Sequence, residues 1–330
     1  MTRRRAILVT ALVFALALAA GAWSMVIGSA RIGAPEVLQA LAGQASAGVE
    51  RVVIGWRLPR VLFTLLGGAA LAIAGAIFQS QTRNPLGSPD IIGFTVGAYT
   101  AVLVASILGL SGIWQTPLAA IVGGLATGVA VYLLAWRGGV SGLRIILVGI
   151  GVSLFLSSIN TYLLRTMRLE EAMSAAVWGA GSVNDVGWWH VLPLALVLAL
   201  ALPVILVFAR DMRLMEMGDD TAAGLGVNLE KTRLIQFTAA IALVAVVTAG
   251  AGPIAFVALV APQLALRLVR GSSVSIVPSA AVGALLLTAS DLIARAPFMP
   301  ASVPVGVVTL CLGGTYFVYL LLNLGRAKPA

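Results

Sequence analysis

The chain has 330 residues, 60% of them hydrophobic and only 10% charged, with a mean hydropathy of +1.04. A soluble domain carries roughly 25% charged residues, so a soluble globular fold is excluded, and apolar runs about twice the ~10-residue strand of an outer-membrane barrel exclude that class too. Lys+Arg 21 against Asp+Glu 12 leaves a net +9, nearly all of it arginine; in so apolar a chain these cations read as helix-end anchors that set topology rather than as a nucleic-acid surface.

A membrane-spanning helix needs ~20 apolar residues. Runs punctuated by charge and Gly/Pro clusters predict ten of them, at 6–27, 61–80, 91–110, 117–136, 145–164, 191–209, 234–250, 253–269, 274–293 and 303–324. The expected object is an all-α polytopic membrane protein forming one unit over 1–330. Arg3, Arg4 and Arg5 ahead of the first run suggest a signal peptide, but the run outlasts the usual h-region of ~7–15 residues and reads as an uncleaved span. Residues 34–41, with Pro35 and Glu36 in the first turn, predict a short surface helix. A second short helix is expected around Trp178 between the fifth and sixth spans. The eighth run is short and contains Pro262, so a kinked or partly re-entrant segment is expected there.

An even number of spans puts both termini on one side. With that side cytoplasmic, fourteen cations fall inside and seven outside, which is the expected bias.

The inventory of reactive groups is thin. His190 is the only histidine and Cys311 the only cysteine, so neither a metal site, a disulfide nor histidine catalysis has material. No G-x-x-x-x-G-K-[ST] phosphate loop occurs, and no span centre offers the carboxylate or histidine that a coupled carrier uses.

Three constellations remain. The loop from Gln79 to Asp90 is broken by Pro85, Gly87 and Pro89 and reads as a cytoplasmic turn, with Asp90 able to cap the third span. The longest inside loop carries Gly218, Asp219, Asp220, Thr221, Ala222, Ala223, Gly224, Leu225 and Gly226. Asp219 or Asp220 can cap a short helix that the glycines end, giving either a preformed docking knob or a capped surface helix. At the opposite face, Arg57, Arg60 and Arg295 can bind carboxylates, or snorkel to lipid headgroups. Asp291, four residues before Arg295, can pair with it along the helix.

The chain also resembles a known family. Arg57-Leu-Pro-Arg60, Gly-Ala-Ile-Phe-Gln-Ser at 75–80, Arg83-Asn-Pro-Leu-Gly-Ser-Pro-Asp90, Met217-Gly-Asp-Asp-Thr-Ala222, the Ala251–Pro262 run and Pro304-Val-Gly-Val-Val-Thr309 together are similar to the iron-siderophore and vitamin B12 permeases of ABC importers. Within these, the ferric enterobactin permease subunits look most alike. The resemblance implies the type II importer permease fold, a second identical or paralogous permease, two cytoplasmic ATP-binding subunits and an extracytoplasmic siderophore-binding protein, with no cofactor and no nucleic acid. It implies ATPase coupling at 218–226 and binding-protein docking at Arg57, Arg60 and Arg295. It further implies a pathway and gate near Ser141, Gly142, Ser157, Ser158, Asn160 and Trp178. Gln263 stands where relatives often have histidine, so no titrating role carries over. A haem or corrinoid permease is the alternative within the class, and an ion-coupled carrier the alternative outside it.

Overall fold

The computed structural model describes residues 3–28, 30–90, 93–110, 112, 114–136, 142–271, 273–296 and 303–324. In chain order the helices are α1 (Arg3–Val26), α2 (Ala34–Leu41), α3 (Ala47–Glu50), a π-helical turn (Arg51–Arg57), α4 (Leu58–Thr82), α5 (Phe94–Ile107), α6 (Gln115–Ala135) and α7 (Gly142–Thr166). There follow α8 (Leu169–Gly179), α9 (Trp188–Val207), α10 (Ala209–Met215), α11 (Asp219–Gly224), α12 (Leu229–Ala251), α13 (Val257–Val269), α14 (Ile276–Ala294) and α15 (Val305–Leu324).

Among the described residues, seven helices are long and apolar enough to cross a membrane, and three shorter apolar helices, α5, α13 and α15, accompany them. Each of the ten apolar runs meets one of these ten. Three differ most in extent. Helix α5 covers only Phe94–Ile107 of the third run. The second crossing begins at Ala47, because α3, the π turn and α4 form one continuous helix. The eighth is shorter than its run, since 252–256 is not helical and α13 starts only at Val257. Pro262 lies inside α13 rather than ending it.

The small residues of α4 explain its place at the centre. Its mid-section reads Gly67-Gly-Ala-Ala-Leu-Ala-Ile-Ala-Gly-Ala76, and without bulky side chains a backbone can lie directly against its neighbours. A Cβ on Gly68 would come within 2.2 Å of the Gly283 carbonyl oxygen, and one on Gly283 equally close to that of Gly68. A Cβ on Gly75 would strike the Ala258 carbonyl. Helices α9, α12, α13 and α14 thereby surround α4, and the main core, with Phe63, Ile73, Ile77, Phe78, Leu194, Leu243 and Leu287, forms between them.

Helix α13 is preceded by the non-helical stretch 252–256. A helix rises ~1.5 Å per residue, so the 13 residues of α13 and the 14 of α5 cover about two thirds of a ~30 Å hydrocarbon layer. Their N-terminal ends meet. The Asp90 carboxylate accepts hydrogen bonds from the Thr95 hydroxyl in the first turn of α5 and from the Phe256 backbone N–H just ahead of α13. Asp90 thus ties the two helix starts together without capping either: the N-cap positions are Gly93 and Phe256, neither with a side-chain cap bond, which corrects the expectation that Asp90 caps the third span. Gly93 itself occupies the cap position of α5, at φ 83°.

Candidate functional site

The 25 residues of α4 make a rod of roughly 37 Å, and two of the residue groups singled out in the sequence, the arginines and the 218–226 loop, gather at its two ends.

At the first end the arginines are engaged with the protein itself. Arg57 is 7% exposed, and its guanidinium donates to the carbonyls of Met25 at 2.6 Å, Val26 at 3.1 Å and Ala30 at 2.6 Å. These are the final carbonyls of α1 and the chain just beyond, which no intrahelical donor can reach. The π turn, which widens the helix by one residue per turn, ends at this arginine. The expectation of a surface guanidinium at Arg57 is therefore corrected: its donors are spent inward.

Arg60 and Arg295 share one acceptor. Arg60 Nε and Nη2 lie 3.0 and 2.7 Å from Asp291 Oδ1, and Arg295 Nη2 lies 2.8 Å from Oδ2. Asp291 is fully buried, while the two arginine side chains keep 15% and 16% of their surface. Arg295 also donates to the Ile27 carbonyl and the Ser24 hydroxyl. The Asp291–Arg295 pairing read from the spacing of four is present, and Arg60 is added to it from α4.

At the second end, α10 and α11 form a compact projection. Gly218, at φ 121°, is the N-cap of α11 and no side chain caps it, so neither Asp219 nor Asp220 serves as expected. Asp219 instead receives both its oxygens' bonds from Arg233 Nη2, at 2.9 and 2.8 Å, and a further one from Arg83. Burial alone would raise the Asp219 carboxyl, but Arg233 and Arg83 outweigh it and hold the carboxyl below its ordinary value. Arg83 takes φ 49° as the left-handed cap of α4, and its Nε donates to the Met215 carbonyl at 2.9 Å. Ser80 Oγ donates to Glu216 Oε1 at 2.7 Å. Burial pushes the Glu216 carboxyl up against the opposing pull of Ser80 and Arg213.

The projection has an inner and an outer face. Ala222 is fully buried and packs with Met215 and Val227, so it is an anchor and not a contact surface. Thr221, Ala223, Gly224 and Gly226 are exposed, together with Met217 at 67% and Leu225 at 59%.

The remaining sequence candidates are spread along α7 and α8. Ser141 lies outside the described residues, and Gly142 begins α7. Ser157 and Ser158 are exposed, the latter donating to the Leu154 carbonyl. Asn160 faces the other way: it is 5% exposed, and its Oδ1 has no hydrogen-bond partner among the described residues. Trp178 stacks on Tyr99, ring centroids 6.2 Å apart, and borders a cavity of about 530 Å³ that Asp185, Trp189 and His190 also line. The structure thus brings the 218–226 residues other than the buried Ala222 onto one projection and ties Arg60 to Arg295, and it leaves the buried Asn160 apart from the exposed Ser157 and Ser158.

Sequence reasoning did not find Ser80, Arg83, Glu216 or Arg233 as members of the second site. Ser80 and Arg83 lie 136 residues from their carboxylate partners, and only the fold brings them together. The arginine beside Asn84-Pro85 was the one local signal, since a helix must stop before that proline.

Comparison with known proteins accords with this architecture. The chain is 46% identical over 325 residues to the ferric enterobactin transport system permease protein FepG of Escherichia coli (strain K12), covering 98% of each sequence. It is 37% identical to the iron(3+)-hydroxamate import system permease protein FhuG of Bacillus subtilis (strain 168), covering 96% of this chain and 97% of that one. A solved inward-facing conformation of a metal-chelate type ABC transporter superposes with a TM-score of 0.82 at 27% identity, over 96% of this chain and 99% of the other. The FecCD transport family profile matches residues 15–323, and the chain is a member of the FecCD transport family.

Proposed function

We propose that this chain is the membrane permease subunit of an ABC importer that carries a ferric siderophore across the cytoplasmic membrane. The observation that carries the reading is the end-to-end match to a ferric enterobactin permease at 46% identity, with hydroxamate and achromobactin permeases among the further relatives. The subunit is a translocation component and not an enzyme; ATP hydrolysis belongs to a partner chain. The whole chain acts as one permease domain, paired with a second permease, two ATP-binding subunits and an extracytoplasmic binding protein.

In this reading the Asp219 end faces the cytoplasm, as do both termini, and the Arg60 end faces outward. The exposed face of α11, from Thr221 to Gly226, enters the ATPase and couples hydrolysis to the permease. Leu225, the exposed cap residue that ends α11, stands over an inner face fixed by Ala222, Met215 and Val227, and so presents an apolar tip held in one place for a protein cleft to receive. Binding-protein carboxylates meet Arg60 and Arg295, which retain some exposure; Arg57 supports the rim from beneath. Ser157, Ser158 and Thr161 are polar residues exposed on a membrane helix, a placement suited to a subunit interface or aqueous pathway rather than to lipid. Ser141 and Gly142 serve the inner gate, and Trp178 stands at the outer one.

Reconstitution tests the reading. Vesicles holding the permease with its ATPase, given loaded binding protein outside and ATP inside, should accumulate radioiron from a catecholate or hydroxamate ferric siderophore. Uptake of haem or a corrinoid in its place would overturn the substrate class, and uptake driven by an ion gradient without the ATPase would overturn the importer itself.

A further inference from the structure

Both ends of α4 are bolted to functional surfaces by side chains, and the bolts differ in kind from ordinary packing. At its first end, Arg60 is held by the buried Asp291 together with Arg295. At its other end, Ser80, Gln81 and the cap residue Arg83 each make a polar attachment to another element. Ser80 donates to Glu216, and Arg83 to the Met215 carbonyl and Asp219. Gln81 donates to Gln236, whose own Nε2 reaches the Phe208 carbonyl, just before α10, at 3.0 Å. Thr82 turns back on the Phe78 carbonyl. The α10–α11 segment is therefore fastened at its start, through Gln236 to Phe208, and at its middle, through Met215, Glu216 and Asp219.

The left-handed cap makes this possible. Because Arg83 adopts φ 49°, the chain leaves α4 sharply and the guanidinium is directed at the α10–α11 junction. Between the two ends the rod is stiff: α4 lies backbone to backbone against α14 at Gly68–Gly283 and against α13 at Gly75–Ala258, and close-packed interiors transmit strain.

We propose that Ser80 and Arg83 are positioning residues that make α4 and the α10–α11 segment one rigid body, so that a displacement at the Arg60 end is delivered directly to the exposed face of α11. This rests on the reading of that face as the ATPase contact, and it adds the element through which the outer rim reaches it. A continuous rigid element biased at both ends is a physical route for such coupling. The alternative arrangement, a segment hinged on α4 that moves independently, would break the Ser80–Glu216 and Arg83–Asp219 bonds in each cycle.

The experiment locks the junction. In a Cys311→Ala background, Ser80→Cys and Glu216→Cys are joined by a short reversible bifunctional thiol reagent in the assembled transporter, and uptake is measured before joining, after joining and after reduction. Retention of the unjoined rate after joining is expected. Loss of uptake on joining, restored by reduction, would overturn the proposal. Should the cysteine pair itself be inactive, spin labels at Thr82→Cys and Met217→Cys give a second measure. Coincident distance distributions in the nucleotide-free and ATP-trapped complexes are expected, and separated distributions would overturn it. Failure of the underlying reading is distinguishable, because it appears as intact ATPase stimulation when Leu225 is substituted, whatever the junction does.

Discussion

Arg60 Nη2 and Asp291 Oδ1 stand 2.7 Å apart across 231 positions of sequence, and Asp291 holds Arg295 with its other oxygen. One buried carboxylate thus serves two cations from two helices. Removing one partner of a buried ionic group strands the rest, at a cost of about 3–5 kcal/mol.

Asp291→Asn should therefore lower the thermal unfolding temperature in detergent markedly, since Arg60 and Arg295 would face each other without a counter-charge. The triple change Arg60→Met, Asp291→Leu, Arg295→Met should recover most of the loss, because well-packed apolar groups replace buried ion pairs at little cost. The same triple variant should still fail to associate with the loaded binding protein. Normal association in a binding titration would show that the arginines serve structure alone.

Arg57 gives a different outcome from its neighbours. Arg57→Met leaves up to three carbonyls without their donor, each worth about 1–3 kcal/mol. Reduced folded yield and a lowered melting temperature are expected from size-exclusion and thermal assays. A normally folded Arg57 variant that loses only binding-protein association would contradict the inward role.

The helix crossing at Gly68 separates two kinds of glycine. Gly68→Leu must part α4 from α14, and overpacking of this sort costs ~1–3 kcal/mol. Gly128 in α6 is a control, since a Cβ there meets nothing within 4 Å. Gly128→Ala should be neutral or stabilising by up to about 1 kcal/mol. Equal melting temperatures for the two variants would refute the close crossing.

How much of this was readable beforehand follows from where the information lies. The ten apolar runs and the Asp291–Arg295 spacing are local patterns, and helical periodicity carries them directly. The α11 segment was recognisable from its glycines, but its orientation was not. Ala222 is buried and Leu225 exposed because Met215 and Val227 close beneath the helix, a packing detail that no cap residue announces. Arg57 looks the same as Arg60 in sequence, three residues away. The π turn that ends at it, and the end of α1 beside it, decide that it points inward. The junction of Ser80 and Arg83 with Glu216 and Asp219 is wholly long-range, and hydropathy is blind to it.

Acidity should act on that junction in two opposed phases. Asp219 is held below the ordinary value of ~3.9, so its contribution is complete above that value and is lost as pH falls through the depressed one. Glu216 is raised above its ordinary ~4.3, so the fold favours its protonated form and gains stability as pH falls from the raised value to the ordinary one. Protection of the α10–α11 amides, taken relative to the intrinsic exchange rate at each pH, should therefore rise on mild acidification and fall on strong acidification. Glu216→Gln should remove the first phase and Asp219→Asn the second. A profile unchanged by both variants would contradict the assignment.

The most direct test of the central claim concerns the exposed face of α11. Ala222→Trp cannot supply it, because Ala222 is buried and the change would disrupt the segment. Leu225→Glu keeps the helix and its anchors but places a charge where an apolar side chain stands 59% exposed. In proteoliposomes with the ATPase and loaded binding protein, the variant should assemble and bind the binding protein normally, yet show neither siderophore uptake nor stimulated ATP hydrolysis. Wild-type uptake and stimulation in Leu225→Glu would contradict the account.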